Sequence, residues 1–175
     1  MRLKLLTKEV QVNTPEQIAI GDLRYTNLFV GLSDDDLEQI AISCTRRIFR
    51  AGEYCAVQGA ATGEIGIINS GKVAIETRLE VPTYAQTLRI CILTRGSMVG
   101  WSALIAPNIL TASVRCIEES EIIYIKAADL QHLFKERPLI EPVVMKNLAA
   151  VLSSRLRESW SQLTGLVSEM VKQGR

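Results

Sequence analysis

The side chains able to ligate a metal or act as nucleophiles are few and scattered. Cys44, Cys55, Cys91 and Cys116 are separated by 11, 36 and 25 positions, and no CxxC pair occurs. Zinc and iron–sulfur sites draw their ligands from short, recurring spacings. These four cysteines therefore read as reduced, mostly buried thiols that pack as small hydrophobes. His132 is the only histidine. A Ser/His/Asp triad needs a positioned histidine, and a metal-dependent barrel enzyme of cupin type needs a cluster of them. His132 lies in DLQHLFKER, a helical pattern, and reads as a surface or packing residue. No catalytic residue, metal or cofactor is expected, and the chain does not read as an enzyme.

Binding is the chemistry left to consider, and composition bounds the partners. The 175 residues are 47% hydrophobic and 22% charged, enough for one domain with a core plus an appendage. Twenty Lys and Arg against nineteen Asp and Glu leave a net charge of +1, so no global field favours nucleic acid. The longest apolar runs are about five residues, against roughly 20 for a membrane span. Lys4 and Lys8 interrupt the start of the chain as a signal peptide. A cytoplasmic protein without a membrane partner is expected.

The elements that would position a binding site follow from the glycines. Seven of the eleven fall between positions 52 and 100, among short runs rich in Ile and Val. Such spacing predicts an antiparallel sandwich or barrel, with a hairpin turn at Asn69-Ser70-Gly71. Further strands are expected at about 111–117 and 121–126. Ser33 before three acids predicts a capped helix, whose apolar face is Leu37, Ile40, Ala41 and Cys44. A short helix over 127–136 should stop before Pro138, and a long proline-free helix should run over 143–171.

That last helix carries heptad rows. Ala149, Leu156, Leu163 and Met170 form one row, and Met145, Leu152, Ser159 and Leu166 the other, with Ser159 the polar exception. Trp160 and Val167 widen the stripe. Four heptads predict a homodimer through this helix, with packing on its own barrel as the alternative. Gly165 predicts a close approach or a soft point. The expected organisation is an N-terminal extension (1–21), a barrel with flanking helices (22–136) and a dimerisation helix (137–175).

Five stretches, in order, resemble the cyclic nucleotide-binding domain family. They are LFVGLSDDDLEQIA (28–41), AGEYCAVQGA (51–60), IINSGKVAI (67–75), GSMVGWSALIAPNILTASVR (96–115) and LSSRLRESWSQL (152–163). The last is similar to the dimer helix of the catabolite-activator branch. The resemblance implies a mainly β fold with helices: an antiparallel jelly-roll barrel between N-terminal helices and a long C-terminal helix. It also makes 96–115 the phosphate-binding cassette, where backbone N–H groups, a glutamate and an arginine hold a cyclic nucleotide.

In this chain Gly100, Ala103, Leu104 and the strand Thr111-Ala112-Ser113-Val114 match that frame. The glutamate position is Trp101 and the arginine position is Leu110. Losing a partly buried arginine–phosphate pair costs about 2–5 kcal/mol. Losing the carboxylate–hydroxyl bond adds about 1–3 kcal/mol. Ordinary cyclic AMP or cyclic GMP binding is therefore not expected. Arg115 is no substitute, because it shares strand parity with Thr111 and Ser113, opposite Ala112 and Val114. Arg89 and Arg95 have no assignable place.

By resemblance, the pocket would present Gly100, Trp101, Ala103, Leu104, Leu110 and Ala112 as apolar surface, and Ser102, Thr111 and Ser113 as polar contacts. Ser159 and Trp160 would reach it from the long helix. This suits a small effector, nucleotide-like or less charged. The alternatives are a ligand-free interaction module whose pocket Trp101 and Leu110 fill, or the sensor half of a larger transcription regulator. No recognition helix or basic stripe supports direct DNA binding by this chain.

Overall fold

A computed structural model describes residues 18–81 and 84–173. Residues 1–17 of the expected N-terminal extension lie outside the described residues. Eight strands are present: β1 (Cys44–Phe49), β2 (Tyr54–Ala56), β3 (Glu64–Ser70), β4 (Val73–Val81), β5 (Tyr84–Leu93), β6 (Met98–Val99), β7 (Ser113–Cys116) and β8 (Ser120–Lys126). They pair as two four-stranded antiparallel sheets, β1-β8-β3-β6 and β2-β7-β4-β5, which is the expected jelly-roll barrel. The expected hairpin at Asn69-Ser70-Gly71 is instead a corner between sheets, since β3 and β4 do not pair. The chain crosses from the first sheet to the second at Gly71, whose φ of 85° is the left-handed conformation that glycine adopts freely.

The first sheet is apolar on both faces. Ile65 and Ile67 pair with Ile125 and Ile123 across the β3–β8 ladder, and all four pack against the helices. Ile68, Ile122 and Tyr124 of the same two strands instead face the second sheet, where they meet Val73, Val114 and Cys116. One ladder thus separates a helical core from a barrel core.

The helices are α1 (Ile20–Arg24), α2 (Asp34–Ile42), α3 (Ala127–Glu136) and α4 (Ile140–Gln173). The α2 start is as expected: the Ser33 hydroxyl accepts the Asp36 N–H at 3.2 Å. That serine also donates to the Asp36 carboxylate, and its hydrogen bond holds the Asp36 carboxyl below the usual carboxylate range. Arg137, between α3 and α4, pairs with Asp35 and Asp36 and so ties both ends of the helical layer together.

At 34 residues, α4 is longer than the sequence suggests and spans about 51 Å at the usual helical rise. It begins three residues before 143 because Pro142 lies in its first turn, where a missing N–H costs nothing. Ile140, Val144, Leu148 and Val151 bury this first half in the helical core. Asn147 fixes it to the N-terminal turn, donating to the Leu28 carbonyl at 3.0 Å and the Val30 carbonyl at 2.8 Å. The second half runs beside β5, where Gln162 donates to the Ile90 carbonyl and Arg155 approaches the Cys91 sulfur at 3.5 Å. Among the described residues outside its own helical turns, nothing lies within 4 Å of where a Gly165 side chain would begin, so the expected close approach is not seen there. Among the described residues, no helix is long and apolar enough to cross a membrane.

On the outer face of the second sheet, Glu76 is only 5% exposed. Arg115 grips its carboxylate at 2.8 and 3.0 Å, and the Tyr54 hydroxyl donates to it at 3.1 Å. Arg115 thus points away from Val114 and the barrel interior, as strand parity requires.

Two predictions follow from these contacts. Asn147→Ala leaves two carbonyls unpaired and should lower stability by about 1–2 kcal/mol in urea titration. The Arg115 hydrogen bonds hold the Glu76 carboxyl below the usual carboxylate range. The ionised pair therefore stabilises the fold above the unfolded value, and that contribution fades as pH falls through the lower folded value. Glu76→Gln should be less stable than the parent at neutral pH and lose less between about pH 5 and pH 3; parallel curves for the two proteins would disprove the assignment.

Candidate functional site

Gly100 opens the cassette in the left-handed conformation (φ 73°) and leads into a short 3₁₀ helix, Trp101–Leu104. A side chain at Gly100 would begin 2.8 Å from the Glu64 carbonyl oxygen, so only glycine allows the cassette to lie this close to β3. Asn108, also left-handed at φ 61°, donates its side-chain amide to the Ser102 and Ala103 carbonyls at 3.0 and 3.1 Å. The rest of the loop is zipped to residues 58–62. Leu110 N–H donates to the Ala60 carbonyl at 2.9 Å, and its own carbonyl accepts from Gly59 at 2.8 Å. The Gln58 N–H reaches the Ser113 hydroxyl at 2.9 Å. Backbone bonding thus holds the cassette shape without either of the family's polar anchors.

Behind this loop, between the two sheets, lies a cavity of about 410 Å³. Its apolar wall includes Cys55, Val57, Val99, Leu110 and the Tyr124 ring. Gly66 lets its neighbours pack directly on the β3 backbone, since a side chain there would begin 2.9 Å from both Val99 and Ile122 and 3.2 Å from the Tyr124 ring. Of the expected cassette residues, Gly100 and Leu110 line the cavity. Trp101 is half-buried and packs with Leu104 and Ala103 against the helical core, on the other side of the cassette. Ser102 is buried, and Thr111, Ala112 and Ser113 continue along the loop into β7 without joining the lining residues.

The polar part of the wall comes from residues that sequence reasoning did not single out. Arg47 and Glu64 form a two-pronged pair, with N–O distances of 2.7 and 2.8 Å. The guanidinium carbon sits 4.4 Å from the centroid of the Tyr124 ring, a cation–π contact. Glu64 keeps the Arg47 guanidinium firmly protonated, and burial raises the Tyr124 phenol, which stays neutral. The Tyr124 hydroxyl is buried beside the Cys55 thiol. The available signal was strand parity: Arg47 shares a face with Phe49, Glu64 with Gly66 and Ile68, and Tyr124 with Ile122. What parity cannot supply is the pairing order that brings β1, β8 and β3 together.

The arginines considered from sequence lie elsewhere. Arg115 is held by Glu76, and Arg95 lies 3.5 Å from Asp22. Arg89 pairs across β5 with Glu76 in the strand register. On α4, Ser159 is half-buried and Trp160 exposed, and neither lines the cavity of a single chain. Cys44 is buried enough for its thiol to be pushed up to about 12. The Cys55 thiol, hydrogen-bonded with Cys116 beneath the cavity and buried, is also raised well above its ordinary value.

Comparison with known proteins agrees with this geometry. A sequence profile described as "Cyclic nucleotide-binding domain" matches residues 46–137, more than half of the chain. The chain is 29% identical over 133 residues to the cyclic AMP receptor protein of Thermus thermophilus, covering 75% of this chain and 58% of that relative. It spans little more than half of that relative's length. The crystal structure of the Thermus thermophilus catabolite activator protein superposes with a TM-score of 0.64 at 27% identity, covering 81% of this chain and 63% of that one. A cyclic nucleotide-binding domain from Methylobacillus flagellatus superposes with a TM-score of 0.71 at 16% identity, covering 83% and 80%. With its sequence match, its double sheet and a cassette of the family's shape, this chain belongs to the cyclic nucleotide-binding domain family.

Proposed function

We propose that the chain is a regulatory sensor in which a small effector occupies the cavity and biases the position of α4, through which two copies pair. The observation that carries this reading is the orientation of α4. Arg155, Glu158 and Gln162 form a polar row directed at β5 and its surroundings. Leu156, Trp160, Leu163 and Val167 form an apolar row that is 58–63% exposed. At about 100° per residue the two rows lie roughly 140° apart around the helix. A helix packed only on its own barrel would bury its apolar row, so the arrangement favours a second helix as partner. Met145, Ala149 and Leu152 extend the row toward the core, while the side chains of Leu166 and Met170 lie outside the described residues.

In this reading residues 22–136 sense and residues 137–175 pair, in a cytoplasmic protein. The effector is nucleotide-like or less charged, because Trp101 and Leu110 stand where the family's glutamate and arginine would be. The open cavity and the packing of Trp101 on the helical side support an effector over a filled pocket. An effector shifts α4 only as far as its affinity differs between two helix positions.

The pairing is tested by sedimentation of the parent and a Leu156→Glu/Leu163→Glu variant. The parent should sediment as a dimer and the variant as a monomer with its barrel still folded; a monomeric parent at tens of micromolar, about the range where a functional dimer must persist, would defeat the reading. Sensing is tested by thermal shift against cyclic nucleotides and less charged analogues, where ligand at about 100 times its Kd adds ~2.7 kcal/mol. A large rise with micromolar cyclic AMP would restore ordinary binding despite the missing anchors. In a Trp101→Phe background, Trp160 emission should change on saturation; unchanged emission would refute coupling to α4.

A further inference from the structure

Among the described residues lining the cavity, Arg47 is the one cation and Glu64 the one carboxylate. They are not adjacent in the sheet. Arg47 lies on β1 and Glu64 on β3, with β8 between them. The arginine reaches across the Tyr124 ring to meet the carboxylate with both prongs, as it would meet a bound oxyanion. Gly66, paired with Tyr124 in the β3–β8 register, lets the ring beneath this contact lie close against β3.

We propose that Arg47 is the anion anchor of this cavity and that Glu64 is its built-in competitor, occupying the guanidinium until an anionic group of the effector displaces it. This deepens the effector-binding reading above and rests on it. The cassette contributes no charged side chain, since Trp101 and Leu110 hold its two polar positions. An anionic ligand entering the cavity therefore meets one cation, on the opposite wall. Both members of the pair are about one-third exposed, 30% for Arg47 and 31% for Glu64, so the carboxylate can swing into water without a buried charge being stranded. The displaced residue is also coupled to the cassette. The Glu64 carbonyl lies against Gly100, where the loop departs from the sheet. Exchange of carboxylate for ligand thus takes place next to the cassette hinge.

The test uses titration calorimetry of the full chain with cyclic AMP and with adenosine, which keeps the base and sugar but carries no phosphate. Three proteins are compared, each checked for folding by circular dichroism: the parent, Glu64→Gln, and Glu64→Gln combined with Arg47→Gln. Glu64→Gln should bind cyclic AMP about tenfold more tightly than the parent, and Arg47→Gln should abolish that gain. Adenosine should change by less than about twofold across the series, because it offers the guanidinium no charge. Equal cyclic AMP affinities in all three proteins would overturn the competitor while leaving the sensor reading intact. An equal gain for adenosine would also overturn it, since removing Glu64 would then only have enlarged the cavity. Absence of heat with both probes in all three folded proteins would remove the proposal and the effector reading together.

Discussion

The β3–β8 ladder carries apolar side chains on both faces, and the rest of the molecule is arranged to keep both dry. Its Ile65, Ile67, Ile123 and Ile125 face requires a helical layer, which α1 to α4 supply. Its Ile68, Ile122 and Tyr124 face requires a second sheet, which closes the barrel. A two-faced sheet cannot be shed from either side without exposing a row of branched apolar residues. The inner face is interrupted at Gly66, where the absence of a side chain lets Val99, Ile122 and the Tyr124 ring pack on the β3 backbone at the edge of the cavity.

Shape and charge have been separated at this site. The cassette keeps its geometry through main-chain bonds, a left-handed Gly100 and the Asn108 amide, none of which needs a ligand or a charged side chain. The charge sits on the far wall, in an arginine and a glutamate contributed by the two-faced sheet. A pair of this kind, partly open to solvent, adds little to stability. Its effect falls on what the cavity admits, because the wall is electrically neutral while the pair is closed.

Much of the architecture was legible in the sequence because it rests on local signals. The Ser33 cap, the Gly71 turn and the stop of α3 before Pro138 each depend on a few adjacent residues. The α4 heptads include Leu156 and Leu163, which lie exposed on the helix, although Pro142 concealed the start of the helix. Cassette residues were legible only as positions in a frame: Leu110 reaches the cavity, whereas Trp101, one residue after Gly100, turns to the helical side. The 3₁₀ turn decides that, and no periodicity announces it. Arg47 and Glu64 were illegible for a different reason. Each is an ordinary charged residue on a short strand, and they meet only because β8, which follows them by more than fifty residues, inserts between their strands.

The long helix is anchored unevenly. Its first half is buried up to about Val151 and clasped by Asn147, whereas beyond Leu152 it touches the barrel through a few polar groups along β5. Mechanically this is a lever with its fulcrum inside the core. The free arm from Leu152 to Gln173 is about 32 Å long at the normal helical rise. A tilt of about 10° at the fulcrum carries the tip sideways by about 5 Å, roughly half the width of a helix with its side chains. Displacements of a fraction of an ångström near the fulcrum, too small to alter the packing there, would become sideways movements of several ångströms at the far end.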